Sequence, residues 1–269
     1  SFPTRRSSDR QYIPGNSFIH KLDPRFKIII SILFIIDLFL VNQFIGYLYV
    51  FIFIIVTILI ANLSLKYIYN GLKPILILLL ITAILNIFMT GGNGSPPLIQ
   101  WHFIKIYKEG LVIAAFMIIR LVFLIMGTSI LTLTTSPIEL TDGIESLLNP
   151  FKKIGVPAHE LAMMMTIALR FIPTLMDETD KIMKAQMARG ADFESGNLIS
   201  RAKSLIPILV PLFISSFRRA DELAMAMESR CYRGGEGRTR MKQLKVTKRD
   251  YIASCSFILL FVITIVSRS

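Results

Sequence analysis

Arg189, in KAQMARGADF (184–193), and Arg230, in MAMESRCYRG (225–234), lie 41 positions apart in similar surroundings. The same offset pairs Asp180 with Asp221 and Ala185 with Ala226, so the segments read as two copies of one device at the ends of two parallel helices. An arginine at a helix tip is a permanently charged, planar fork able to grip carboxylates or carbonyls on a neighbouring protein. The competing reading is local. There the arginine complements the negative end of the helix dipole, and Gly190 is a left-handed stop. One such end by itself is ordinary capping; its duplication adds weight to paired docking.

Other reactive groups are scattered. His20, His102 and His159 lie far apart, and Cys231 and Cys255 have no metal-ligand spacing, so neither a metal site nor a disulfide framework is expected. GGEGRTR at 234–240 lacks the spacing and the lysine of a phosphate-binding loop, and no nucleophile elbow or zinc-protease helix stands out. No catalytic residue and no cofactor are therefore expected, and nothing in the chain binds nucleotide by itself. Asp37 and Arg120 fall inside apolar runs, where charge is costly. They read foremost as polar pairing within the helix bundle, with a mutual pair or a partner contact as alternatives. Met163, Met164, Met165, Met176, Met183, Met187, Met225 and Met227 read either as core filler or as a pliable apolar surface for several partners.

The elements that must carry these residues are membrane helices. The chain has 269 residues, 53% hydrophobic and only 18% charged, and its mean hydropathy is +0.60. This composition lies outside the range of soluble globular domains. Apolar runs long enough to cross a bilayer occur at 26–41, 44–63, 72–90, 111–135 and 251–266, which makes about five spans. Between the last two lies a basic, amphipathic segment, which we take as a separate helical domain. Ser136, Pro137 and Glu139 form a capping box that opens its first helix, and Asn149-Pro150 closes it. A second helix is expected after Pro157, bent at Pro173 and ending at Arg189. A third is expected from Leu198 to Arg230.

The layout is thus an all-α membrane protein. Residues 11–135 form four transmembrane helices, 136–250 a cytoplasmic domain with two long helices, and 251–269 a last transmembrane helix. Lys21, Arg25, Lys27, Lys66 and Lys73 put the N-terminus and the long domain in the cytoplasm by the positive-inside rule. Lys105 and Lys108 count against this and are outweighed by Lys152, Lys153, Arg218 and Arg219. Loop 91–99 reads as a flexible turn. Residues 1–10 lack an initiator Met and resemble a translated sequencing adapter, so they are read as a non-native artefact and set aside. The net charge of +12 is assigned to residues flanking spans on an anionic leaflet, not to nucleic-acid binding.

QYIPGNSFIHKLDPR (11–25), SPIELTDGIESLL (136–148), HELAMMMTIALRFIPTL (159–175), KAQMARGAD (184–192) and ESRCYRGG (228–235) together resemble the transmembrane T component of energy-coupling factor transporters. This is the EcfT family, related to the CbiQ cobalt transporter proteins, and the resemblance runs from Gln11 over nearly the whole chain. It implies that two cytoplasmic coupling helices end in Ala-Arg-Gly motifs that dock on two ATP-binding-cassette ATPase subunits. Those roles fall on Ala188, Arg189 and Gly190, and on Ser229, Arg230 and Cys231, where the second motif departs as Ser-Arg-Cys. It further implies a bacterial cell-membrane importer. ATP-driven motion of the ATPases would pass through this chain to a membrane-embedded substrate-binding S component for vitamin or micronutrient uptake. QYIPGNSFIHKLDPR looks closer to the module shared by several S components; a dedicated cobalt, nickel or biotin module is the alternative. From a different class, a self-sufficient secondary transporter would need inverted repeats or broken helices in the membrane. The repeat here lies outside the spans.

Overall fold

A computed structural model describes residues 12–89, 99–101, 104–193, 197–234 and 244–268. The adapter-like residues 1–10, His102, loop 91–98 and most of GGEGRTR lie outside them. Among the described residues there are ten α-helices and one short antiparallel ribbon, Ile99–Trp101 with Ile104–Ile106. They fall into two compact units. One joins Gln11–Gly143 with Leu244–Ser269, and the other is Ile144–Gln243.

The first unit contains helices α1 (Pro24–Leu40), α2 (Phe44–Ala61), α3 (Leu65–Leu72), α4 (Leu76–Met89), α5 (Lys108–Thr134) and α10 (Lys248–Arg268). Four stretches are long and apolar enough to cross a membrane: Phe44–Ala61, Leu65–Phe88, Lys108–Thr134 and Lys248–Ser267. The fifth expected span is α1, of 17 residues, which carries Lys27 and Asp37. The third span starts earlier than expected. Pro74 does not begin it but is carried in a single 3-10 turn, Lys73–Ile75, that joins α3 to α4. A proline tolerates this position because the first turn of a new helix needs no amide hydrogen from it.

α5 packs against α1, α2, α3 and α4, while α10 packs against α1 and α2. The interface is apolar and tight, with Leu38, Val50, Ile54 and Phe257 fully buried. Phe34 of α1 covers Gly127 of α5 so closely that a Cβ there would lie 2.3 Å from its ring, so a glycine is required at this crossing. The outer faces are apolar too. Leu48, Ile52 and Leu59 of α2 and Ile77, Leu80 and Ile81 of α4 are exposed, as suits a surface solvated by lipid chains.

Asp37 and Arg120, inside this bundle, are held by neutral polar groups. Asp37 accepts a 2.6 Å hydrogen bond from Thr264 Oγ1, which joins α1 to α10. Arg120 donates to Tyr47 Oη at 3.1 Å and to the Val41 carbonyl at 3.2 Å, and its guanidinium lies over the Phe39 ring. Polar pairing within the bundle is therefore what both residues do, and each has a different partner.

The second unit contains the end of α6 (Pro137–Leu148), then α7 (Ala158–Ala188), α8 (Leu198–Ser204) and α9 (Ile206–Glu228). The capping box forms as expected: Glu139 N donates to Ser136 Oγ at 3.3 Å, and Ser136 N to Glu139 Oε2 at 3.4 Å. α7 runs unbroken through Pro173. The expected single helix from Leu198 to Arg230 is instead two, α8 and α9, parted at Leu205. Pro207 explains the break, since a proline cannot donate an amide hydrogen into a preceding turn and is best placed at a helix start.

Candidate functional site

The two arginine tips close in the same way, bond for bond. After α7, Gly190 N donates to Met187 O at 2.9 Å and Ala191 N to Gln186 O at 3.0 Å. After α9, Cys231 N donates to Glu228 O at 2.8 Å and Tyr232 N to Met227 O at 3.0 Å. Each set is the paired closure in which the last free carbonyls are satisfied by a left-handed residue and its successor. The 41-residue offset read from side chains thus extends to backbone hydrogen bonds. Gly190 has φ +89° and Cys231 φ +56°, so the Ser-Arg-Cys departure keeps the turn while placing an L side chain in the left-handed region.

That placement carries a cost of roughly 1 kcal/mol, from Cβ against the following carbonyl. No neighbouring group lies within 4 Å of a Cβ built on Gly190, so the cost is conformational and not steric crowding. Cys231→Gly should therefore raise the unfolding free energy of the purified chain by about 1 kcal/mol, and Gly190→Ala should lower it by about as much. Denaturant titration reads both, and equal stability of all three proteins would show that the left-handed turn is not held in solution.

All six residues of the tips, Ala188, Arg189, Gly190, Ser229, Arg230 and Cys231, are exposed. Neither guanidinium takes part in an ion pair among the described residues. The structure does not bring the tips together, however, and the parallel arrangement is corrected. Gln186 near the end of α7 donates to Pro207 O at the start of α9. Glu178 pairs with Arg219 at 2.8 Å in the middle. Tyr232 beyond the end of α9 reaches Met163 near the start of α7. α7 and α9 are antiparallel, and Arg189 and Arg230 lie at opposite ends of the pair. The separation is about the length of α9, 23 residues, or roughly 35 Å.

Glu178 and Arg219 are themselves 41 positions apart, hence equivalent positions in the two copies. In an antiparallel pair, contact between equivalent positions is the arrangement that a local two-fold axis between them gives. The repeat is therefore an approximate dyad, and its two arginines are presented in opposite directions. Arg219 also lies over the Phe171 ring, its guanidinium 5.8 Å from the centroid, so the crossing is held by charge and stacking at once.

Sequence reasoning missed a second cluster, which lies wholly in the other unit. Lys27 is buried, and its Nζ donates to His20 O at 3.2 Å, Thr134 O at 3.0 Å and Thr135 Oγ1 at 3.2 Å. It thereby caps the negative end of α5 with the loop before α1. Asp250, fully buried, accepts from Asp23 N at 2.7 Å and from Thr247 N and Oγ1, both at 2.7 Å. Asp23 in turn caps α1 through Arg25 N. His20 is held by Ser17 Oγ at 2.6 Å and Ile13 O at 3.0 Å. Burial pushes its pKa down, the Ile13 bond opposes this, and the Lys27 charge adds to the lowering. Nε2 faces a carbonyl and so donates to Ile13 O, while burial favours the neutral ring whose Nδ1 can accept from Ser17 Oγ. The polar letters of QYIPGNSFIHKLDPR therefore tie the starts of α1 and α10 to the end of α5. The visible signal was Thr247-x-x-Asp250, a capping-box spacing.

Two further facts decide the family. The CbiQ family model, described as "Cobalt transport protein", matches residues 15–241. The "Energy-coupling factor transporter transmembrane protein EcfT" of Clostridium kluyveri is 71% identical over 258 residues, covering 96% of this chain and 95% of that protein. The chain belongs to the EcfT/CbiQ family. Proteins of the same name from Thermosediminibacter oceani, 61% identical over 96% of the chain and 96% of the relative, and from Bacillus subtilis, 51% identical over 93% and 94%, are also similar. The EcfT relatives are named as membrane components of transporters, and the apolar helices here accord with a membrane transport role. The matched region contains both arginine tips and the whole α7–α9 pair.

Proposed function

We propose that the chain is the coupling subunit of an energy-coupling factor importer, passing the motion of two ATPase subunits to a substrate-binding S component. The observation that carries this reading is the dyad: two identically closed, exposed arginine tips, facing opposite ways at the ends of a cross-braced helix pair. Such a lever fits a motor with its own two-fold symmetry, one socket per subunit. Ala188, Arg189 and Gly190 fill one socket and Ser229, Arg230 and Cys231 the other. ATP hydrolysis then resides in the partners.

In this reading the N-terminus and residues 136–250 are cytoplasmic, while 11–135 and 251–269 lie in the bacterial cell membrane. The S component has a natural seat on the second unit. Leu209, Val210, Phe213 and Phe217 on α9 and Met164 and Met165 on α7 are exposed apolar side chains outside the membrane-length helices. Large apolar side chains left exposed together are the usual mark of a protein or membrane contact surface. Flexible methionine side chains suit a face that must accept several S components, which favours the shared module.

Affinity capture of the full-length chain from native membranes, with bound proteins identified by mass spectrometry, tests the proposal. Two ATP-binding-cassette subunits and more than one small membrane protein are expected. A single recurring membrane partner would indicate a dedicated module, and substrate uptake by the purified chain alone in liposomes would overturn the coupling role.

A further inference from the structure

A cavity of about 540 Å³ opens among α1, α2, α5 and α10, lined by residues such as Phe34, Ile54, Thr57, Gly127, Ile130 and Ser256. All of these belong to the first unit. We propose that this cavity holds one acyl chain of an anionic phospholipid, with its headgroup against the basic residues at the same ends of the helices.

The wall is apolar by construction. Three of its hydroxyls are turned back on their own helices: Thr57 donates to Phe53 O, Ser256 to Ala253 O and Thr134 to Ile130 O. Lys27, which also lines it, spends its three donors on His20, Thr134 and Thr135. Ser31 is the remaining hydroxyl in an otherwise apolar lining, so the site offers little to a polar solute or an ion. An apolar cavity of about 150 Å³ accommodates benzene, so this one has room for roughly twenty carbons, one lipid chain and not two. A helix with its side chains is about 10–12 Å across, and two turns of it exceed this volume.

The rim supplies the route and the charge. Val56, Ile60 and Ile252 are exposed on membrane helices and line the opening, so the cavity is continuous with the lipid-facing surface. Lys21 precedes the lining residue Leu22, and Lys248 and Arg249 form the first turn of α10 just before Ile252; all three are exposed. Each such cation near an anionic headgroup contributes a factor of about five in affinity.

Photolabelling tests this with the full chain reconstituted in phosphatidylcholine vesicles doped with phosphatidylglycerol carrying a diazirine on one acyl chain. Adducts should map to Phe34, Ile54 and Ile130, which bulk lipid does not reach, as well as to exposed Leu48 on α2. Wall labelling should be about tenfold weaker with a phosphatidylcholine probe, and should fall by roughly an order of magnitude in Lys248→Glu/Arg249→Glu, whose sites are exposed and outside the packed core. Thr57→Phe should remove wall adducts while leaving those on Leu48. Wall labelling that is absent, equal for the two headgroups, or indifferent to Thr57→Phe would overturn the proposal. So would a wall labelled in the isolated chain but silent in the assembled transporter, since partner side chains would then own the cavity.

Discussion

Exchanging both Arg189 and Arg230 for glutamate is expected to abolish co-purification of the ATPase subunits while the membrane helices remain folded. Each guanidinium sits exposed at a closed helix end, so its loss removes no internal ion pair among the described residues, and reversing the charge at the helix dipole should cost the chain's own stability only about 1 kcal/mol per tip or less. Breaking a desolvated, hydrogen-bonded charge contact with a partner costs about 2–5 kcal/mol, and a reversed charge adds repulsion. At 3 kcal/mol per tip the affinity falls more than about a hundredfold at each socket. The tips are separated by the 23 residues of α9, far beyond the roughly 10 Å within which substitutions interact directly. Each single reversal should therefore loosen the complex, and the double should lose both the contacts and the avidity of two-point attachment. Pull-down with tagged ATPases, alongside the thermal stability of the purified chain, reads both quantities. Intact assembly and uptake in the double variant would remove the docking role from these residues.

Lys27→Met is expected to act in the opposite way, destabilising the chain before any partner is involved. The ammonium satisfies three oxygens, from His20, Thr134 and Thr135, in a buried setting. A methionine fills the stem's volume and leaves them unpaired, at about 1–3 kcal/mol for each buried acceptor. A total near 4 kcal/mol is a large share of the stability of a domain of this size. Arginine should not rescue, because its planar fork cannot take the place of a compact, three-way donor. Lys21→Met, at an exposed position six residues earlier, is the control and should be near neutral. Thermal unfolding in detergent, with membrane abundance as a second measure, distinguishes these outcomes. A Lys27→Met protein as stable as the control would mean that the loop before α1 does not need this staple.

The two predictions divide along a line that the sequence partly drew. Duplication at an offset of 41 exposed the arginine tips because the same local chemistry, a left-handed closure after a helix, needs the same kind of residues wherever it occurs. Membrane helices were legible for a similar reason, since lipid demands an unbroken apolar run. Boundaries at Pro74 and Leu205 were harder, because a proline can either break a helix or open the next one, and the choice rests on what packs around it. Lys27 was read only as a flanking charge. A basic residue at the start of a span looks the same whether it faces headgroups or folds inward onto three carbonyl and hydroxyl oxygens.

What the sequence determined by itself is what nearest neighbours along the chain set: most of the helices, the capping box that opens α6, the repeat and the closures at its two ends. Only the tertiary structure decided that α7 and α9 run antiparallel, that Glu178 meets its own counterpart, Arg219, and that Asp37 answers to Thr264 and not to Arg120. The physical reason is that a helix's direction of packing and the partner of a buried charge depend on contacts between segments far apart in the chain. An offset of 41 residues is equally compatible with two tips side by side and with two tips back to back.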